Sequence, residues 1–154
     1  MKKVFKGIVF LLTLVACDAN SVFEEYKPIA PGGWDKDSLA CFNVEVDDTI
    51  QKYNLYVNIR NKGNYANSNI WLFLDIKSPD GQLLTDTVEY ILAERSGKWR
   101  GSGIGDLFDN QFVYRTNVMF EKSGMYRFII RHGMRTKKLK GIHDIGLRVE
   151  TQNE

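Results

Sequence analysis

The fold class is decided by Tyr53-Asn54-Leu55-Tyr56-Val57-Asn58-Ile59-Arg60 and, beyond the polar stretch Asn61-Lys62-Gly63-Asn64, by Asn69-Ile70-Trp71-Leu72-Phe73-Leu74-Asp75-Ile76-Lys77. In the first run Tyr53, Leu55, Val57 and Ile59 take every second position and polar or amphipathic residues fill the gaps, the period of a half-buried strand. The polar stretch reverses the chain, which predicts that the two runs form a central pair. In the second run Ile70, Leu72, Leu74 and Ile76 repeat the pattern, while Trp71 and Phe73 place aromatic groups on the opposite face. That composition predicts an inner strand covered on both sides for half its length.

Outward from this pair the chain continues in strands and turns. Val22 to Tyr26 reads as an edge strand or extended arm, and Pro28, Pro31, Gly32 and Gly33 form a loop. Phe42, Val44 and Val46 alternate up to Asp47-Asp48. Pro79-Asp80-Gly81 is a strong turn signal, Thr85 to Leu92 is strand-like, and Ser96 to Asp109 reads as a long glycine-rich loop around Trp99. Phe112, Tyr114, Val118 and Phe120 resume the alternation. Tyr126, Phe128 and Ile130 follow Gly124, a basic loop spans Arg135 to Lys140, and Ile145, Leu147 and Val149 finish the sheet. About eight strands without an amphipathic helix after Cys17 predict an all-β protein, a two-layer antiparallel β-sandwich of jelly-roll or immunoglobulin-like topology. No internal repeat is visible, which argues against a propeller or solenoid.

The chain has 154 residues, 44% apolar and 26% charged, suited to one domain with a single core. Its N-terminus differs in kind. Lys2, Lys3 and Lys6 precede the apolar run Gly7 to Val15, too short to span a bilayer, and small Ala16 precedes Cys17. Residues 1–16 read as a signal peptide, 17–21 as a lipidated cysteine and short tether, and 22–154 as a single β-sandwich domain. Leu14-Val15-Ala16-Cys17 resembles a bacterial lipobox, in which the Cys17 thiol receives a diacylglyceryl group and becomes the new N-terminus. Two or three acyl chains then hold the protein on a membrane. Three lysines leave with residues 1–16, so the formal charge falls from +2 to −1 and the basic balance of the precursor gives no argument for nucleic acid. With Cys17 acylated, Cys41 has no partner in the chain and is expected to be buried as a small apolar residue.

Several groups of residues invite a chemical reading. Gly101-Ser102-Gly103-Ile104-Gly105 lacks the spacing and the strand-to-helix setting of a phosphate loop, so it reads as loop glycines. His132, His143, Asp106 and Asp144 include no histidine pair at metal-ligand spacing, and His143 and Asp144 point to opposite faces of an extended strand. No catalytic residue, metal or cofactor is expected from them. The basic run Arg131, Arg135, Lys137, Lys138 and Lys140 is a solvated hairpin tip or a contact for anionic headgroups or an acidic partner. Trp34, Tyr56, Trp71 and Trp99 are sugar-stacking candidates, with Trp34, Tyr56 and Trp99 the preferred glycan or partner contacts. The competing roles are core packing for Trp71 and loop anchoring for Trp34 and Trp99.

The run Tyr53 to Asn61, then Tyr65 and Ser68-Asn69-Ile70-Trp71-Leu72-Phe73, closely resembles the gliding-motility lipoproteins of the GldH type. Pro79-Asp80-Gly81, Asp86-Thr87-Val88-Glu89, Gly97 to Gly103, Met134-Arg135 and Gly141 to Arg148 continue the match in order. The resemblance implies a non-enzymatic cell-envelope lipoprotein of Bacteroidetes-type bacteria, part of the gliding machinery and its linked protein secretion. It carries over one residue, Cys17, as the lipidated position. It also implies other envelope proteins as partners and a lipid-anchored address in the cell envelope, the outer membrane, on its periplasmic or surface face, ahead of the inner membrane. A glycan-binding envelope lipoprotein is the alternative. Asp37-Ser38-Leu39, Asp48-Thr49-Ile50 and Asp86-Thr87-Val88 look like triplets at which such bacteria attach O-glycans, at Ser38, Thr49 and Thr87; ordinary turn chemistry competes with that reading.

Overall fold

The computed structural model describes residues 20–152, so the leader, Cys17 and the start of the tether lie outside the described residues. The described residues form strands β1 (Ser21–Pro28), β2 (Trp34–Asp35), β3 (Ala40–Val46), β4 (Tyr53–Lys62) and β5 (Asn69–Lys77), then β6 (Leu83–Ile91), β7 (Leu107–Val118), β8 (Gly124–His132), β9 (Lys138–Leu139) and β10 (Ile142–Thr151). One four-stranded sheet has the order β1-β10-β4-β7 and the other β3-β8-β5-β6, while β2 and β9 form a small ribbon of their own. The protein is an all-β, antiparallel β-sandwich, as the alternating pattern predicts.

The pairing is nested. β5 pairs with β6, β4 with β7, β3 with β8, β2 with β9 and β1 with β10, all antiparallel. The chain is therefore one long hairpin folded back at Pro79-Asp80-Gly81 and rolled up, with β10 against β4 and β8 against β5 closing the two sheets. Eight main strands in that order make a jelly roll, which settles the choice that periodicity left open.

Two expectations are corrected here. β4 and β5 are not a hydrogen-bonded pair: they lie in different sheets and face each other across the core. Strands in one hairpin and strands in opposed sheets show the same alternation, so the pattern could not separate them. The connection between them is held by Tyr65, 4% exposed, whose hydroxyl donates to the Asn69 carbonyl at 2.9 Å. β5 is central in its sheet, yet its outer face is not covered. Trp71 is 40% exposed, and half-buried Phe73 lies under the Arg131 guanidinium at 5.1 Å.

The core is built from the inward positions of both sheets. Leu55, Val57 and Ile59 of β4 and Ile145, Leu147 and Val149 of β10 meet Phe42, Ile70, Leu72, Leu74, Phe128 and Ile130. The rolled hairpin also sorts the loops into two ends. Residue 20, loops 47–52, 78–82 and 119–123, and residue 152 share one end; loops 29–39, 63–68, 92–106 and 133–141 share the other. Ten residues of β10 at about 3.3 Å each set the two ends roughly 30 Å apart.

Leu72 is 0% exposed at the centre of its sheet. Leu72→Ala is expected to destabilise the domain by about 2–5 kcal/mol through lost transfer energy and a residual cavity. A shift of the urea midpoint with an unchanged slope checks it.

Candidate functional site

The outer face of the first sheet carries a polar network centred on β10. A side chain at Gly146 would meet Tyr26 Cδ1 at 2.9 Å and Asn58 Cβ at 3.1 Å, so the missing side chain lets the Tyr26 ring lie across the strand. The Arg60 guanidinium stacks on that ring at 3.9 Å. Its Nε donates to Asp109 Oδ2 at 3.0 Å and its Nη1 lies 3.6 Å from Asp144 Oδ2. Burial, then the Asp109 charge, raises the Tyr26 hydroxyl above its ordinary pKa. Toward the first end, Asn58 Nδ2 donates to Glu24 Oε1 at 3.1 Å, and Arg148 bridges Glu24 and Glu150 at 2.7 and 2.5 Å. These bonds tie β1, β10, β4 and β7 together across the pleat.

His143 and Asp144 belong to this network, against the expectation that they diverge. The register of β10 slips between Ile142 and Asp144, and that bulge brings His143 Nδ1 to 2.7 Å from Asp144 Oδ2. The other two members of the set lie elsewhere. His132 is 0% exposed, with its Nε2–H donating to the Trp34 carbonyl at 3.1 Å and its ring edge-on to that indole. Asp106 accepts from the Gly63 backbone N–H at 2.9 Å. Among the described residues no three His, Cys, Asp or Glu side chains converge as a metal site.

The second end is basic. Lys36, Arg135, Lys137, Lys138 and Lys140 surround the β2–β9 ribbon, and Arg95, Lys98 and Arg100 project from the loop beside it; all are exposed. Among the described residues none of these eight forms an ion pair. A backbone bond from Lys36 N to the Lys137 carbonyl at 2.8 Å fixes the two loops to each other. The glycines of 101–105 are structural. Ser102 and Asp109 exchange two backbone bonds, and any side chain at Gly103 would run into the Leu107 carbonyl.

The aromatic candidates separate. Trp34 is 2% exposed and its indole Nε1 donates to the Ser38 carbonyl at 3.0 Å, so no ring face is left for a sugar. Trp99 is half-buried with Tyr65 and Phe108 rings 6.3 and 5.8 Å away. Tyr56 is half-buried on the outer face of β4. Trp71, assigned above to the core, is the exposed indole; it borders a shallow groove with Asn67, Asn69, Met134 and Arg135. Ser38 and Thr87 are exposed and Thr49 is half-buried in a turn where Asp48 Oδ1 accepts from Ile50 N at 2.7 Å. Cys41 is half-buried, not core, because it sits on the outward face of β3, its Sγ 3.4 Å from Arg127 Nη2.

A second, apolar opening lies at the first end, where β6 and β7 part. The seam is closed by stacked Tyr90 and Phe112 and then by Asp86, which takes hydrogen bonds from Tyr114 and Arg115. Below them a cavity of about 420 Å³ is lined by Leu55, Ile76, Leu84, Val118, Phe120 and Tyr126. Leu83, Leu84 and Met119 at its rim are 63%, 44% and 55% exposed. Periodicity gave no sign of this cavity, since it depends on how far the two edges diverge.

These features define a jelly-roll domain with a polar, cross-linked outer sheet, a basic end, and an apolar-rimmed end at which residue 20 enters the fold. The model of the GldH lipoprotein family matches residues 21–149. The chain is 36% identical to the gliding motility lipoprotein GldH homolog of Christiangramia forsetii, over 97% of this chain and 98% of that one. It is 35% identical to the gliding motility lipoprotein GldH of Flavobacterium johnsoniae, over 96% of each. The chain belongs to the GldH lipoprotein family. Among solved structures it is similar to a family GH115 4-O-methyl-α-glucuronidase, with a TM-score of 0.43 and 10% identity, over 99% of this chain and 20% of that one.

Burial holds the His132 pKa below its ordinary 6.5. The unfolded imidazole therefore takes up a proton at a higher pH than the folded one, so stability from neutral His132 is present above pH 6.5 and lost as pH falls below it. Urea titrations at about pH 7.5 and about pH 5.5 should show the parent losing more stability than His132→Gln.

Proposed function

We propose that this lipoprotein is a non-enzymatic component of the gliding machinery and its linked protein secretion. Diacylglyceryl on Cys17 holds it on the outer membrane, and its basic end docks an acidic surface of another envelope protein. The observation that carries the reading is the separation of ends. Residue 20, three positions after Cys17, enters at one end, and the exposed lysines and arginines lie roughly 30 Å away at the other. An anchor at Cys17 points that basic end away from its own membrane, which favours a protein partner over the headgroups considered for the same loop. Cationic patches of this kind steer association and lose their effect as salt rises.

A glycan-binding role is the second reading, favoured by the exposed indole of Trp71 beside Asn67, Asn69 and Arg135. Aromatic stacking with a few flanking polar groups suits a sugar ring. A glycan array separates the readings: binding lost in Trp71→Ala supports it, and no binding to any glycan removes it.

In a gliding host, Cys17→Ser should move the protein from the membrane to the soluble fraction and stop movement. Lys137→Glu with Lys138→Glu should leave it on the membrane yet weaken partner capture and slow gliding. Wild-type movement in both strains would end the proposal.

A further inference from the structure

We infer that the end holding residue 20 is a lipid-contact surface, seated on the bilayer that carries the anchor. The inference rests on the Cys17 anchor proposed above. Each residue spans at most about 3.6 Å, so the three steps from Cys17 to Asn20 reach no more than about 11 Å whatever their conformation. The fold fixes which loops come with them. Thr151 N donates to the Asn20 carbonyl at 2.8 Å and Gln152 N to the Lys52 carbonyl at 2.8 Å, placing loop 47–52 beside the entry point. Loop 119–123 follows the pairing of Val118 with Tyr53, and it is tied to loop 78–82 through Lys122 and Asp80.

The surface so defined is apolar at its tips. Ile50, on loop 47–52, is 83% exposed; Leu83 and Met119, 63% and 55% exposed, stand at the mouth of the cavity floored by Leu55, Ile76 and Phe120. Large apolar side chains left bare within a tether's length of lipid match the boundary between headgroups and acyl chains. The charges agree in kind. Lys52, Lys77 and Lys122 stand among Asp47, Asp48, Asp80 and Glu121, three positive charges against four negative, a nearly balanced set that offers no cationic patch to recruit an acidic protein. The far end, by contrast, is cationic and carries all three tryptophans, Trp34, Trp71 and Trp99.

That placement of the tryptophans supplies the test. Full-length lipidated protein is reconstituted into phosphatidylethanolamine–phosphatidylglycerol vesicles containing phospholipid brominated along the acyl chain. A surface residue at this depth, about 5–10 Å into the boundary, comes within quenching range of the bromines. In floated vesicles the parent's emission should stay nearly unquenched, while the additional emission of Ile50→Trp and of Met119→Trp should fall by about half. If the protein floats but the added tryptophans are unquenched, or the native ones are quenched as strongly, the lipid-contact surface is overturned and the anchor stands. If the lipidated protein does not float, the anchor and this inference fall together.

Discussion

The structure depends on a nested set of antiparallel pairings about the turn at Pro79-Asp80-Gly81. Once β5 and β6 are hydrogen-bonded, the flanking segments can extend the same double strand outward, and each later pair lies further along it. Such a ribbon cannot bury one face while flat. Rolling it brings β10 against β4 and β8 against β5, and only then do the alternate residues of all eight main strands point into one core. Pairings such as β1 with β10 join opposite ends of the described residues, so most of the stabilising contacts are non-local, the class of topology associated with slow folding.

The roll has a consequence for polarity. The two outer faces must stay soluble, and the first sheet does so with ordered bonds as well as hydration. Tyr26 over Gly146, Arg60 between Asp109 and Asp144, and Arg148 between Glu24 and Glu150 span three neighbouring strand pairs. Partly exposed ion pairs of this kind are individually worth little, roughly 0–1 kcal/mol. Their geometry is specific, however, and it fixes register across a face where a slip by one residue would turn the core outward. The bulge at His143 fits this account, since it places Asp144 under Arg60.

Much of this could be read from the residues. The alternation in β4, β5, β8 and β10 gave the strands, the proline and glycine signals gave the true hairpin turn, and the segment order from Tyr53 to Arg148 gave the family. Partner strands were not legible, because a period of two reports which side is buried and not which sheet the strand joins. The assignment of Trp71 failed for a related reason. An aromatic residue on the second face of a strand reads as buried on composition, whereas a sandwich has no third layer to cover it. The cavity and the His143–Asp144 contact arise from edge divergence and a bulge, neither of which has a periodic signature.

Charge shows the same contrast between a sum and its arrangement. Residues 17–154 carry a formal net charge of −1, from which no electrostatic partner would be expected. The fold sorts that near-zero total in space. Eight exposed lysines and arginines collect on the loops around and beside the β2–β9 ribbon, where they outnumber Asp35, Asp37, Glu94 and Asp106, while Glu24, Asp109, Asp144 and Glu150 are held in the outer-sheet network. At physiological salt, fields fade over about 8 Å, so a partner roughly 30 Å from the opposite end meets the local charge and not the total. A nearly neutral chain can thus present a cationic tip beside an apolar base, and it does so because the rolled hairpin gathers alternate loops at opposite poles.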